Sequence, residues 1–565
     1  VDPVVARIIR NREVIGEKNI RIYLGGNLSD LSDPHQMKDM DRLVEILAQK
    51  IRKQVHIRII GDYDVDGVTS SHLFLTALRR VGAKVDVVIP HRIQDGYGLS
   101  LHLLQQAKED GVDTILTCDN GIAAIDEIAW AKAQKMTVLV TDHHAVPFEE
   151  HEGRRTEKKS LADAVVNPHQ QDCRYPYKEL CGAGVAWNVI RVLYENYDMD
   201  KREAEDLLDF VAMATVCDVM SLTGENRILV KEGLKRIRHT KNIGLQALMQ
   251  ACNVQPENIS AYHFGYVLGP CVNATGRLDT ARHALRLFET GQETEAEEIA
   301  RDLVDLNQER KELTLQGVEM AKKLCEEGGY ENDPILVLFL PDVHESIAGL
   351  IAGRIREMYN RPVFVLTRGE EGVKGSGRST ENYSMYENMC GCAELFTKFG
   401  GHPMAAGLSL PEENVEKFRR KINENCPLTV EEVCPDIHID MAMPVGYAST
   451  ELVHQFALLE PFGKDNPSPL FADRNLSISR MWLIGKNRNV LRMSVLSEYG
   501  QPVPVIFFGD VETLFAYFTE KFGQEEVENA LHGRKNRILF SMVYTAKIDF
   551  YQGNENLQLE MKYYR

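Results

Sequence analysis

Val55-His-Ile-Arg-Ile-Ile60-Gly61-Asp62-Tyr63-Asp64-Val65-Asp66-Gly67 reads as a short strand running into an acidic turn, with an amphipathic stretch at 68–81 behind it. The β-branched run has the length of a buried strand, and Gly67, lacking a Cβ, lets the chain turn tightly. The rhythm repeats downstream. Residues 85–89, 114–117 and 137–140 are further β-branched runs, with amphipathic stretches at 100–109 and 122–134 between them. Strands alternating with helices predict an α/β fold with a parallel, doubly wound sheet. Ligands of such sheets sit outside the carboxyl ends of the strands. Asp62, Asp119 and Asp142 each fall directly after one of these runs, so a single crevice can collect all three.

Two readings of the turn compete. Asp62, Asp64 and Asp66 can cap the helix that follows, or they can converge on a cation if the chain bends at Gly67. Three later stations favour the cation: Thr117-Cys-Asp119-Asn-Gly, Thr141-Asp142-His143-His144 and Val216-Cys-Asp218-Val. Carboxylates and imidazoles are ligands that Mn²⁺ and Mg²⁺ accept, and a pair of such ions needs about six to eight donors. Adjacent histidines are costly to bury unless ligated or hydrogen-bonded. Asp142 is suited to orienting an imidazole from behind.

A chain of 565 residues exceeds one core, and a spacing of about 150 residues per domain predicts three or four domains. The longest aliphatic run of note, 335–340, is far too short to cross a bilayer. No secretory signal is apparent, although the chain begins at Val1. Eleven cysteines without a C-x-x-C pair, Cys390-Gly-Cys392 being the closest, are expected to be reduced thiols of a cytoplasmic protein. A net charge of −18 excludes a broad basic surface. Any polyanion must then be held locally, by metals, helix N-termini and a few arginines.

Residues 1–54 read as a helical extension and 55–280 as the first α/β domain, with helices at 182–196 and 202–216 and Asp218 just past the second. The stretch 281–327 has no proline and predicts a long connecting helix within 281–330, stopped by Gly328-Gly329. A second, smaller α/β unit occupies 331–425, with strands at 335–340 and 363–367 around a helix at 345–359. From 430 to 565 the short strands 476–484, 490–496, 503–508 and 538–550 predict a small β-barrel or sandwich.

The Asp142-His143-His144 triplet is the signature of the DHH phosphoesterases. The order Gly61-Asp-Tyr-Asp-Val-Asp-Gly67, Asp119-Asn-Gly121, Asp-His-His and Asp218 resembles their RecJ branch, bacterial single-stranded-DNA-specific 5′→3′ exonucleases. Matching motifs span the chain: Arg92-x-x-x-Gly96-Tyr-Gly98, Val166-Asn-Pro168, Cys181-Gly-Ala-Gly184, Asn226-Arg-Ile228 and Gly269-Pro-x-x-Asn273-Ala-x-Gly-Arg277. The second unit is similar to a DHHA1 domain in His344-Glu345, Gly375-Ser-Gly-Arg378-Ser and Gly400-Gly-His402-x-x-Ala-Ala-Gly407. Leu459-Glu-Pro-Phe-Gly463 with Asn466-Pro resembles the approach to an OB-like oligonucleotide-binding barrel.

The resemblance implies two divalent ions, Mn²⁺ or Mg²⁺, on Asp62, Asp64, Asp66, Asp119, His143 and Asp218 or a subset of them. It implies catalysis through Asp64 and through His144 backed by Asp142, with His143 as ligand and His144 on the scissile phosphate. The reverse assignment of the two imidazoles stays open. Arg92, Ser376 and Arg378 match residues that hold the 5′-terminal phosphate. Contacts to single-stranded DNA are implied for Asn273, Arg277, His344, Gly401 and His402, and Tyr97 either stacks on a base or packs within its turn. A single-stranded-DNA-binding protein and a helicase are the partners implied, with the enzyme a monomer. The chain departs from the family at Cys271, where arginine is usual and a phosphate contact is put in doubt. It departs again at Lys464-Asp465, within the turn before Asn466. Two other readings compete: a shorter DHH–DHHA1 phosphodiesterase, against which the C-terminal strands speak, and an inactive scaffold binding DNA or replication partners, against which the filled stations speak.

Overall fold

The computed structural model describes residues 1–92, 95, 98–151, 154–330, 332–369, 372–434, 436–485, 489–551 and 553–565. Strands β1 (Ile57–Ile60), β2 (Val85–Val88), β3 (Thr114–Cys118) and β4 (Thr137–Thr141) lie in the order β2-β1-β3-β4, with Ala164–Val166 beside β4. All these pairings are parallel. Alternate residues of the strands serve two cores. Ile57, Ile59, Leu116, Cys118 and Leu139 face the helices Val65–Arg80, Gly182–Asn196 and Leu208–Cys217. Ile60, Ile115, Val138 and Val140 face Leu101–Glu109 and Ile125–Ala133 on the other side. The chain leaves β1 towards β2 and returns at β3 on the other side, so the crevice of this sheet opens at the carboxyl ends of β1 and β3.

Where one helix is expected over 202–216, there are two, Lys201–Glu205 and Leu208–Cys217. The connecting stretch also divides, into Arg282–Glu289 and a 35-residue helix, Glu293–Glu327. The break falls at Thr290-Gly291-Gln292, whereas Gly317 stays inside the long helix. At 1.5 Å per residue that helix is about 50 Å long. It packs on Ile243–Ala251 and Gly269–Leu278 of the first unit and on Ala348–Tyr359 of the second.

The second unit is a five-stranded sheet, ordered Lys398–His402, Ala405–Leu410, Gly372–Arg378, Val363–Gly369 and Leu336–Phe339. Only the last two strands are parallel. In the C-terminal unit Phe471–Ile484 pairs with both Val490–Leu496 and Leu539–Tyr551, which closes the sheet into a barrel. Its last strand, Asn554–Tyr564, and the helices Val511–Phe522 and Gln524–Leu531 go beyond the strands read from sequence.

The N-terminal stretch serves two cores. Val4, Val5, Ile8, Ile9 and Tyr23 pack with Phe456 and Leu459 of the approach to the barrel and with Phe471 of its first long strand, whereas Leu43, Val44 and Leu47 belong to the first domain. Arg227 joins these parts. Its buried guanidinium donates to the carbonyls of Tyr23 (2.8 Å), Leu459 (2.9 Å) and Leu458 (3.0 Å).

Candidate metal centre and phosphate cleft

The acidic turn after β1 serves as both cap and cluster. Asp64 is the N-cap of Val65–Arg80, its Oδ1 accepting from Gly67 N at 3.0 Å, while Asn273 Oδ1 accepts from Val65 N at 3.1 Å. Gly67 is required by close approach, because a Cβ there would stand 2.5 Å from the backbone of Asp62. Asp66 turns inward and takes the N-terminus of another helix, its Oδ2 and Oδ1 accepting from Gly182 N (2.6 Å) and Ala183 N (2.7 Å). A helix N-terminus favours an anion at this position.

Asp119 follows β3 in a left-handed conformation, φ 62°, and a Cβ on Gly182 would lie 2.6 Å from its own Cβ. Asp142 follows β4 and is fully engaged. Its Oδ1 accepts from His143 N (2.7 Å), His144 N (3.1 Å) and His144 Nδ1 (2.7 Å), and its Oδ2 from Ile122 N (2.9 Å). His143 Nε2 lies 3.1 Å from Asp119 Oδ1, 3.6 Å from Asp218 Oδ2 and 3.7 Å from Asp66 Oδ2. Donor atoms of Asp62, Asp64 and Asp119 gather within 4.8 Å of one another, as do those of Asp66, His143 and Asp218, and those of Asp119, His143 and His144.

The electrostatics are those of a cation site. Burial, with the neighbouring Asp64, pushes the Asp62 carboxyl well above the usual range. Burial and the Asp66 and Asp64 charges do the same to Asp119 and Asp218. Burial lowers His143. Burial also pulls on His144, but its hydrogen bond to Asp142 and the surrounding carboxylates prevail and raise it to about 9. Asp62 Oδ1 and His143 Nε2 are buried without a hydrogen-bond partner among the described residues. Orphaned oxygen and imidazole donors of this kind fit a divalent ion such as Mn²⁺ or Mg²⁺.

Tyr63 borders a cleft of about 410 Å³ between the two α/β units, lined also by Arg92, Ser346, Lys374, Ser376 and Gly400. The Arg92 guanidinium lies 5.0 Å from the centre of the Tyr63 ring. Arg378 donates to Gly377 O at 2.7 Å and Arg277 to Ser346 O at 2.7 Å. Burial and the nearby Arg92 depress both Arg277, to about 10, and Arg378, with Arg310 adding to the first and Arg356 to the second. His344 Nδ1 bonds Ser346 Oγ at 2.7 Å.

The expected metal-site residues are thus brought together; Arg92 and Ser376 line the cleft, whereas Arg378 and Arg277 are not among the residues that line it. Asn273 holds the metal turn, and Gly401 and His402 do not line the cleft. Tyr97 lies outside the described residues. Lys374, paired with Glu345 at 2.8 Å, and Gly182 were not singled out in sequence. The signal for Gly182 was the Cys181-Gly-Ala-Gly184 motif at a helix start.

A parallel sheet with aspartates and paired histidines at its carboxyl edge, followed by a second α/β unit across a basic cleft, defines a DHH-type metal-dependent phosphoesterase. The DHH family N-terminal domain matches residues 56–215, the DHHA1 domain 332–426 and the RecJ OB domain 439–563. The single-stranded-DNA-specific exonuclease RecJ of Haemophilus influenzae is 32% identical over 582 residues, covering 99% of this chain and 96% of that protein. The RecJ of Bacillus subtilis is 33% identical over 505 residues, covering 89% of this chain, and the match spans 62% of the relative's length. RecJ from Thermus thermophilus in complex with Mn²⁺ superposes with a TM-score of 0.78 at 25% identity, covering all of this chain and 78% of that one. Its Mg²⁺ complex gives 0.72 at 25% identity, covering all of this chain and 77% of that one. The chain belongs to the RecJ family.

Proposed function

We propose that this protein is a single-strand-specific exonuclease that degrades DNA from the 5′ end to mononucleotides, acting in recombination and repair. One observation carries the reading: the cluster of Asp62, Asp64, Asp119, His143 and Asp218 lies beside a cleft lined by Tyr63, Arg92, Lys374 and Ser376. Asp62, Asp64 and Asp119 would hold one ion, with His143 and Asp218 holding the second beside Asp119. Asp66, both of whose oxygens already accept helix amides, keeps the two halves of the cluster in register. When bound, Mn²⁺ or Mg²⁺ supplies Lewis-acid stabilisation of phosphoryl oxygens and acidifies an attacking water.

The remaining steps belong to the chain's own residues. His144, whose Nδ1 is held by the Asp142 carboxylate at 2.7 Å, is favoured in its protonated form by that partner and would donate to a scissile phosphate oxygen. Arg378 and Arg92 with the Ser376 hydroxyl suit a dianionic terminal phosphate better than a diester, which gives the reaction its direction along the strand. The long helix Glu293–Glu327 packs on both units, which supports a passage too narrow for duplex.

No helix among the described residues is long and apolar enough to cross a membrane. The cytoplasm, a monomeric enzyme, and a single-stranded-DNA-binding protein and helicase as partners complete the proposal and are supported by family membership. Incubation with Mn²⁺ and a 5′-phosphorylated single strand should release 5′-mononucleotides, and Asp64→Ala or His144→Ala should abolish release while leaving the protein folded, the Asp64 variant losing about 0.5–2 kcal/mol with its helix cap. Digestion of a blunt duplex at a comparable rate would refute the narrow passage. Full activity of either variant would refute the site.

A further inference from the structure

Helix Gly269–Leu278 touches both the metal turn and the second α/β unit. Asn273 Oδ1 accepts from Val65 N at 3.1 Å, a Cβ on Gly276 would stand 2.4 Å from Tyr63 O, and Arg277 donates to Ser346 O at 2.7 Å. Cys271 lies two residues before Asn273, about 200° round the helix, and so faces away from the turn. There its buried Sγ meets that of Cys252, the residue that ends helix Ile243–Ala251, at 3.8 Å. Cys271 Sγ also lies 3.3 Å from Val267 O and accepts from Asn307 Nδ2 at 3.4 Å. Cys252 is partly exposed and Cys271 buried, and both are free thiols. No other cysteine pair among the described residues makes such a contact. The hydrogen bond from Cys271 holds the Cys252 thiol below its usual value, and the Lys311 ammonium adds to this against the pull of burial. The same pairing, with burial, pushes Cys271 far up. An accessible, acidified thiol beside a buried resolving thiol is the arrangement of a redox-responsive pair.

We propose that Cys252 and Cys271 form a reversible disulfide on exposure to hydrogen peroxide, and that this bond slows the enzyme by drawing helix Gly269–Leu278 off the metal turn. The Cys252 thiolate attacks one peroxide oxygen, the O–O bond breaks, hydroxide leaves and a sulfenic acid remains. The Cys271 thiol then attacks the Cys252 sulfur, the S–O bond breaks, and the hydroxyl departs as water with the thiol's proton. The two sulfurs together give up two electrons, and the peroxide takes both. A dithiol reductant restores both thiols by exchange. Bond formation brings the sulfurs from 3.8 Å to roughly 2.0 Å. Cys271 moves towards Cys252, and Asn273 and Gly276 on the far face withdraw from Val65 and Tyr63. The bond is independent of the exonuclease reading, whereas its consequence rests on that reading.

For the test, the full chain is reduced, treated with hydrogen peroxide in EDTA and desalted. One portion is alkylated for peptide mapping by mass spectrometry, and another receives Mn²⁺ and a 5′-phosphorylated single strand. The map should show the Cys252 and Cys271 peptides joined, and the single-turnover rate should fall about ten- to a hundredfold and return with dithiothreitol. Cys252→Ser, and separately Cys271→Ala, should form no such bond and keep their reduced-state rates through the same treatment. Cys390→Ser, which removes the exposed thiol, should respond as the wild type does. A map without the Cys252–Cys271 bond overturns the pair. A joined pair with an unchanged rate, or an equal loss in Cys252→Ser, overturns the switch. A reduced wild type that releases no nucleotide overturns the function and the switch together, while the map alone decides the bond.

Discussion

Asp62 is held in a state that a cation or a proton relieves, so at neutral pH Asp62→Asn is expected to stabilise the metal-free protein while destroying its function. The carboxylate is 2% exposed, its Oδ1 has no hydrogen-bond partner among the described residues, and burial with Asp64 nearby disfavours its charge. A buried unsatisfied polar group costs about 1–3 kcal/mol, and more when charged. The amide has nearly the same shape, carries no charge and can donate to the neighbouring carboxylates. In a domain of this size each kcal/mol moves Tm by about 2–4 °C, which predicts a rise of about 2–12 °C for Asp62→Asn in EDTA. With Mn²⁺ the order should reverse. At a free ion concentration about a hundredfold above Kd the wild type gains roughly 2.7 kcal/mol, which the variant largely forfeits. Differential scanning calorimetry in EDTA and in Mn²⁺ reads both arms. A variant that melts at or below the wild type in EDTA would refute the reasoning, because the carboxylate would then be comfortable without a cation.

Gly182→Ala would place a Cβ 2.6 Å from that of Asp119 and push the ligand aside. A displacement approaching 1 Å costs about a hundredfold in kcat, measurable by single-turnover digestion at saturating Mn²⁺. Arg378→Ala is expected to reduce the preference for a 5′-phosphate over a 5′-hydroxyl strand by about ten- to a hundredfold, the worth of a charge-assisted hydrogen bond. Competition between the two strands checks it. Asp209 gives a pH effect away from the metals: burial raises its carboxyl from 3.8 to about 6, despite the hydrogen bond from Thr240. Because the folded-state value is the higher one, stability is lost as pH rises from about 4 to 6 and stays lost above that. The shift corresponds to roughly 3 kcal/mol. Asp209→Asn should flatten that part of the wild-type stability profile in urea titrations at pH 4, 5 and 7.

The sheet was legible because its signals are local. β1 through β4 are β-branched runs, and each observed strand falls within two residues of the run that predicts it. The gathering of Asp62, Asp119 and the Asp142-His143 step followed from the rule that strand ends converge, whereas Asp218 stands at the end of a helix. What each carboxylate does was not legible, since it depends on partners distant in sequence. Asp66 meets the amides of Gly182 and Ala183 more than a hundred residues away, so nothing in the acidic turn separates it from Asp62. Asn273 stands in a motif that suggested DNA, yet its side chain braces Val65 N. Thr290-Gly291-Gln292 breaks the connecting helix and Gly317 does not, because the long helix packs along both units.

The central claim is a direction along DNA, set by metal ligands on one domain and a phosphate cleft shared with another. The most direct measurement follows a 5′-phosphorylated single strand in Mn²⁺ with distinguishable labels on its first and last nucleotides. The account predicts that the 5′ label leaves first, as a mononucleotide, and the 3′ label last. Release of the 3′ label first, or of internal oligonucleotides, would contradict it.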